Sequence, residues 1–349
     1  MLGNSWDTII VGQGLAGTTL AWHLKWAGQK VLLLDACSTV TSSKIAAGLI
    51  TPITGQRMVQ SEGYDEYLSV AKPFYERIEQ QTSRVFFHNR TALRLFKSNV
   101  ESANWAKRIS QPAYQSHLLI PQPNPLIEPR IADASGGGFA MNTAQLDVAA
   151  YLEASRLVLP CEQMELDWDS DVLFRGDGVT VGPHSAELIV SCEGFTATRN
   201  PHFSALSFNA AKGDILTVRF HLPVPPVSIH RGLWVAPTSD PEVFLVGSTY
   251  NWEKLDEVPE PSARSQIECK LKEFIHVPYT VLDHRAAVRP IIHKSMPLIG
   301  RHPTQDRLGY FNGLGSKGSL LAPWYANCLC DHLVGNLQIP NDVNIRSHV

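Results

Sequence analysis

The hydrophobic pattern opens with a short β-branched run, Asp7–Val11, then a glycine-rich turn, then a helix-like stretch, Thr18–Ala27, stopped by Gly28. A second apolar run, Val31–Leu34, follows. Strand, helix and strand in that order predict a βαβ unit and a parallel sheet. Both runs are apolar without alternation, which suits a sheet covered on its two faces. Further on, Tyr64–Thr82 predicts an amphipathic helix and Val85–Phe96 predicts strands. Residues 112–129 read as a proline-rich loop, and Gly136-Gly137-Gly138 as a turn. Thr143–Leu157 predicts a helix, and Glu187–Cys192 a short strand running into Gly194. Ile215–Phe220, Leu233–Ala236 and Val243–Val246 alternate as strands, and Arg264–Phe274 returns to helix. Residues 289–311 predict strand and turn, and Ser319–Val334 a final helix with Pro323 in its first turns.

This order implies a discontinuous layout of mixed α/β and α+β class. Residues 1–80, 140–205 and 285–349 are expected to form a Rossmann-like nucleotide domain. Residues 81–139 and 206–284 are expected to form an inserted antiparallel-sheet substrate domain. Apolar residues make up 44% of the 349 and charged residues 18%, so two ordinary cores are feasible. A net charge near -3 without a long basic run argues against a nucleic-acid or anionic-membrane partner. No run reaches the roughly 18 apolar residues that a bilayer span requires. The first residues lack the basic start and apolar stretch of a secretion signal. The cysteines, Cys37, Cys161, Cys192, Cys269, Cys328 and Cys330, are sparse and form no C-x-x-C pair. They read as reduced thiols of a cytoplasmic protein. The histidines show no metal-ligand spacing, so no metal is expected.

The turn after the first strand is Gly12-Gln13-Gly14-Leu15-Ala16-Gly17, and the second strand ends in Asp35. This is a G-x-G-x-x-G in its full dinucleotide-binding context. Gly12 permits the tight turn, Gly14 lets backbone approach a pyrophosphate, and Gly17 lets helix and strand pack closely. The helix start offers unpaired N–H groups and partial positive charge to phosphate. Asp35 followed by Ala36 places an acceptor for a ribose diol and disfavours a 2′-phosphate. FAD and NAD both remain open at this point.

The next segment is Ser42-Ser43-Lys44-Ile45-Ala46-Ala47-Gly48-Leu49-Ile50-Thr51-Pro52. Small residues let it lie close to a flat ring, and Lys44 can meet a phosphate or ring oxygen. Here the chain resembles the D-amino-acid oxidase/glycine oxidase/sarcosine oxidase family of FAD enzymes. The resemblance continues at Ile189-Val190-Ser191-Cys192-Glu193-Gly194, at Ala287-Val288-Arg289-Pro290 with Pro297-Leu298-Ile299-Gly300, and at residues 310–323, which include Gly313-Leu314-Gly315-Ser316-Lys317-Gly318. It implies FAD as cofactor, with Ser43, Ala46, Ala47, Gly48, Cys192 and Gly194 beside it. It also implies that the 313–318 loop and the helix after it face the flavin. Fixed N–H donors there would stabilise the charge that reduction builds. Ile291–Met296 contains no cysteine, so the flavin is expected to be non-covalent.

The resemblance further implies that Arg289 clamps a substrate carboxylate, which suits its two-pronged guanidinium. Lys317 would face an acidic substrate, and Tyr250 would stand near it. Arg57 would reach the entrance of the site. The expected activity is oxidation of the C–N bond of an amino acid or N-substituted amino acid. Hydride passes to the flavin, the imine hydrolyses in water, and electrons pass to O2 or another acceptor. Lys294-Ser295-Met296 replaces an aspartate frequent in the family, which leaves substrate identity open. Three alternatives stand beside this reading. They are an enzyme acting on the side chain of a tRNA wobble uridine, an NAD-dependent dehydrogenase, and a non-catalytic flavin-binding protein.

Overall fold

A computed structural model describes residues 5–55, 57–119, 131, 137–292, 296–335 and 337–348. Its first sheet is mostly parallel. Ser5–Val11 lies at its centre, flanked by Val31–Asp35 on one side and His184–Ser191 on the other. Cys161–Gln163 extends the sheet beyond Val31–Asp35, and Leu308–Asn312 extends it beyond His184–Ser191. Leu298–Arg301 closes that edge antiparallel. The continuous apolar runs have the expected cause. Ile10 and Leu33 point into a core shared with the Leu15–Trp26 and Gly318–Gly335 helices. Ile9, Val11, Leu32 and Leu34 point into a second core with Trp168, Phe203 and Tyr310.

The second sheet takes the order Tyr279–Arg289, Ala211–Phe220, Val243–Gly247, Trp234–Pro237, Ser228–His230, Phe87–Leu95, Gly138–Leu146 and Leu49–Ile50. All neighbours are antiparallel except Ser228–His230 with Phe87–Leu95. One face packs on the Pro261–Lys272 helix through Leu216, Val218, Ile267 and Leu271. The opposite face meets the Ser42–Ile45 turn through Ile45, Ile215 and Ala287. The segment after Asp35 therefore lies between the two sheets. The α/β and α+β combination expected from the sequence is the fold observed.

One predicted helix is corrected. Thr143–Leu157 divides into the end of strand Gly138–Leu146 and a helix over Val148–Arg156. The breakpoint is Asp147, whose carboxylate accepts the Ala150 N–H at 3.0 Å as an N-cap. Residues 143–146 pair with Phe87–Arg90, so they run in the second sheet. Long-range pairing overrides the local helix preference of Ala144, Gln145 and Leu146. A short helix, Pro112–Gln115, opens the proline-rich stretch. Residues 120–130, Gly136 and residues 293–295 lie outside the described residues.

The last helix contains Pro323, which cannot donate to the carbonyl of Ser319. The hydroxyl of fully buried Tyr75 donates to that carbonyl instead, at 2.9 Å. The helix that carries the C-terminal glycine loop is thus held to the Tyr64–Thr82 helix at its one missing internal bond.

Candidate active site

The first glycine turn is built by close backbone approach. A Cβ on Gly17 would stand 1.9 Å from the Gly12 carbonyl oxygen. A Cβ on Gly12, whose φ is +102°, would stand 2.6 Å from the Cys192 carbonyl oxygen. Cys192 is buried and its N–H donates to the Val11 carbonyl at 2.8 Å, so the two strand ends meet here. Burial pushes its thiol well above the usual range, which makes it a packing group. Leu15 and Ala16 are buried in the same turn.

Asp35 holds the turn from the side. Its Oδ2 accepts the Gln13 N–H at 2.7 Å and its Oδ1 accepts the Cys37 N–H at 2.8 Å. Each oxygen keeps a further lone pair for a ligand. Arg156 donates to the Gln13 side-chain oxygen at 3.1 Å and to Cys37 Sγ at 2.9 Å, so it braces both neighbours of Asp35. Ala36 beside them is exposed.

Ser43 supplies what the first helix lacks. Gly14 has no side chain to cap that helix, and Ser43 Oγ accepts the Leu15 N–H at 3.1 Å. Lys44 directs its ammonium onto the Ser38 carbonyl. Ala46 and Ala47 follow, and at Gly48 a Cβ would lie 1.8 Å from the Leu146 carbonyl oxygen. This loop is therefore pinned to the second sheet by a glycine at φ +65°. Arg57 stands exposed on the turn between the paired strands Ile53–Thr54 and Val59–Gln60.

At the other end of the chain, Asn312 joins two loops. Its side-chain N–H donates to the Gly194 carbonyl at 2.7 Å and its Oδ1 accepts the Gly313 N–H at 2.8 Å. Gly315 donates to the Pro290 carbonyl at 3.2 Å, which ties the segment after Arg289 to the loop. Leu314 is buried, and Ser316 and Lys317 are exposed. Lys317 forms no ion pair among the described residues. Gly318 begins the helix, and a Cβ there would lie 2.9 Å from Leu15 Cδ1. The two glycine-bordered helix starts, near opposite ends of the chain, are in contact.

Arg289 ends the edge strand of the second sheet. Its guanidinium lies against the backbone of Gly213, where a Cβ would stand 2.1 Å from Nη2. The guanidinium carbon also lies over the Tyr250 ring, 4.4 Å from its centre. Nη2 donates to Ser248 Oγ at 2.6 Å. Contacts with the Thr249 and Ala211 carbonyls are long, 3.4 to 3.5 Å. No carboxylate pairs with it among the described residues. Burial holds its pKa below the usual arginine value. Sequence reasoning missed Gly213 and Ser248. Each acts on a partner far away in the chain, so no local motif marks it.

A dinucleotide fits this site on the structure's own terms. The turn closed at Gly12 and Gly17 delivers the backbone into a helix start that bears no side chain at Gly14, and an acceptor stands at Asp35. A family pattern described as FAD dependent oxidoreductase (DAO) matches residues 7–332. The chain belongs to the DAO family of FAD-dependent oxidoreductases. Among relatives of this DAO-family oxidoreductase, glycine oxidase of Pseudomonas putida is 20% identical, covering 94% of both chains. The tRNA 5-methylaminomethyl-2-thiouridine biosynthesis bifunctional protein of Marinobacter nauticus is 21% identical over 93% of this chain, which spans 55% of that relative. Among solved structures, glycine oxidase from Geobacillus kaustophilus superposes with a TM-score of 0.79, at 19% identity over 99% of this chain and 98% of that one. Iminodiacetate oxidase from Chelativorans gives 0.74, at 15% identity over 96% and 97%. No helix among the described residues is long and apolar enough to cross a membrane.

Proposed function

We propose that this oxidoreductase oxidises the C–N bond of an amino acid or N-substituted amino acid, with FAD held non-covalently. The observation that carries the reading is Arg289, a half-buried cation without a carboxylate partner among the described residues, on the strand whose continuation, Pro290, is bonded to Gly315. Its short bond is to Ser248, and its carbonyl contacts sit at the outer limit of hydrogen bonding. Those weakly held N–H groups are the ones a substrate carboxylate would take.

Residues 12–17 and Ser43 would receive the pyrophosphate, Asp35 the ribose diol, and the Ala46–Gly48 and Gly194 backbones the ring system. Bound FAD would supply the hydride acceptor. The amides of Gly313, Gly315 and Lys317 already donate within the protein. The first helical amides, Gly318 and Ser319, would then be the donors available to stabilise negative charge on a bound flavin. Arg289 would orient the substrate so that position and electrostatics lower the barrier without a side-chain base.

Anaerobic bleaching of absorption near 450 nm, across a panel of amino acids, N-methyl amino acids and amines, tests the reading. Bleaching by a carboxylated amine supports it, and a flavin that no amine bleaches refutes it. Acid denaturation should release all the flavin into the supernatant, and oxygen uptake during turnover distinguishes O2 from another acceptor. A second reading, oxidation of a carboxymethylaminomethyl group on RNA, draws support from the likeness to the tRNA-modifying relative. RNA binding at two salt concentrations separates the two.

A further inference from the structure

The segment after Val243–Gly247 carries two large aromatic side chains into solvent. Tyr250 is 51% exposed and Trp252 is 59% exposed. They stack on each other, with ring centres 5.7 Å apart and planes at 24°. The Arg289 guanidinium lies over the Tyr250 ring. Rings that pack a core lose their surface to neighbours, whereas these keep about half of theirs beside a cation that meets no carboxylate among the described residues.

The segment is built to hold them there. Asn251, between the two, exchanges backbone hydrogen bonds with Lys212 at 2.8 and 3.0 Å. In an extended pairing, residues on either side of Asn251 project to one face. Asn251 Oδ1 accepts from Glu253 N–H and Lys254 N–H at 2.9 and 3.1 Å. The Lys212 ammonium, wholly buried, reaches Asp256 at 2.6 Å and the Val258 carbonyl at 2.5 Å. The continuation of the segment is thereby anchored to the same strand that lays Gly213 against Arg289.

We propose that Tyr250 and Trp252 form a substrate-selecting platform, which favours carboxylates bearing a flat aromatic group over glycine-sized ones. The carboxylate engages the edge of Arg289, and the aromatic group lies on the exposed ring faces. The inference rests on the assignment of Arg289 as the carboxylate clamp. Trp252 is the specificity-determining residue, and it takes no part in the chemical step.

Calorimetric titration of the FAD-loaded protein with phenylacetate and with acetate tests this, since neither contains an amine to oxidise. Wild-type protein should bind phenylacetate at least about 10-fold more tightly, in line with one good aromatic contact. Trp252→Ala should reduce that ratio about 10-fold while acetate binding changes less than about 2-fold, and Trp252→Phe should keep most of it. Arg289→Leu, checked with Arg289→Lys in case the leucine variant misfolds, should weaken both ligands. A ratio near one in the wild type, or one unchanged by Trp252→Ala, overturns the platform. If both ligands bind equally well to the Arg289 variants, or neither binds the wild type, the clamp fails and the platform with it.

Discussion

Leu15 and Gly318 touch: the leucine at the start of the first helix fills the space that a side chain on the glycine at the start of the last would need. Each helix start follows a glycine-rich loop, and their contact brings both loops together. The Leu15–Trp26 and Gly318–Gly335 helices share one hydrophobic core behind that contact.

The tightest part of the arrangement is Gly17. A Gly17→Ala methyl would collide with the Gly12 carbonyl and crowd Ile10 and Cys192, all held by the central strands. The variant is expected to purify with little or no flavin, read from the ratio of absorbance at 450 and 280 nm. Gly176→Ala, where nothing lies within 4 Å of the added methyl, should retain full flavin content and serves as the control.

Tyr75 replaces the hydrogen bond that Pro323 cannot make. Tyr75→Phe leaves the Ser319 carbonyl buried and unpaired, at a cost of about 1–3 kcal/mol. The expected result is a melting temperature lower by a few degrees, with unchanged flavin spectrum. A melting temperature equal to the wild type would show that water or another donor serves Ser319.

If Arg289 clamps the substrate, Arg289→Leu should lower kcat/KM for a carboxylated amine roughly 100-fold, about 3 kcal/mol. Most of the change should fall on KM if the carboxylate is held equally before and during reaction. An amine without a carboxylate should react with similar efficiency in both proteins. Unchanged kinetics on the carboxylated substrate would remove Arg289 from the site.

His230 is half-buried, and its pKa is lowered to about 4, first by the loss of water around its ring and then by Arg94 nearby. His23 is lowered to about 4 as well, chiefly by burial. Between pH 6.5 and 4 the unfolded chain binds protons at these positions and the folded chain does not. Stability is therefore complete above pH 6.5 and falls as the pH drops toward 4, by on the order of 3 kcal/mol for each histidine. Denaturant midpoints measured from pH 7.5 to 4.5 should show the decline, and His230→Gln should flatten part of it. A profile that is level across this range would contradict the burial argument.

The glycine turns, the strand that ends in Asp35 and the final helix were legible because each is a local pattern with a local physical cause. The Tyr64–Thr82 helix was legible for the same reason. Other features were decided only by tertiary contact. Gly138–Leu146 became a strand because Phe87–Leu95 was there to pair with it. Ser43 caps a helix distant in sequence, Tyr75 completes a helix it does not belong to, and Gly213 and Tyr250 meet Arg289 from two separate segments. Conformational preference acts over a few residues and leaves a signature in sequence. Hydrogen bonds and packing act over a few ångströms of space, and only the folded chain sets which residues those ångströms separate.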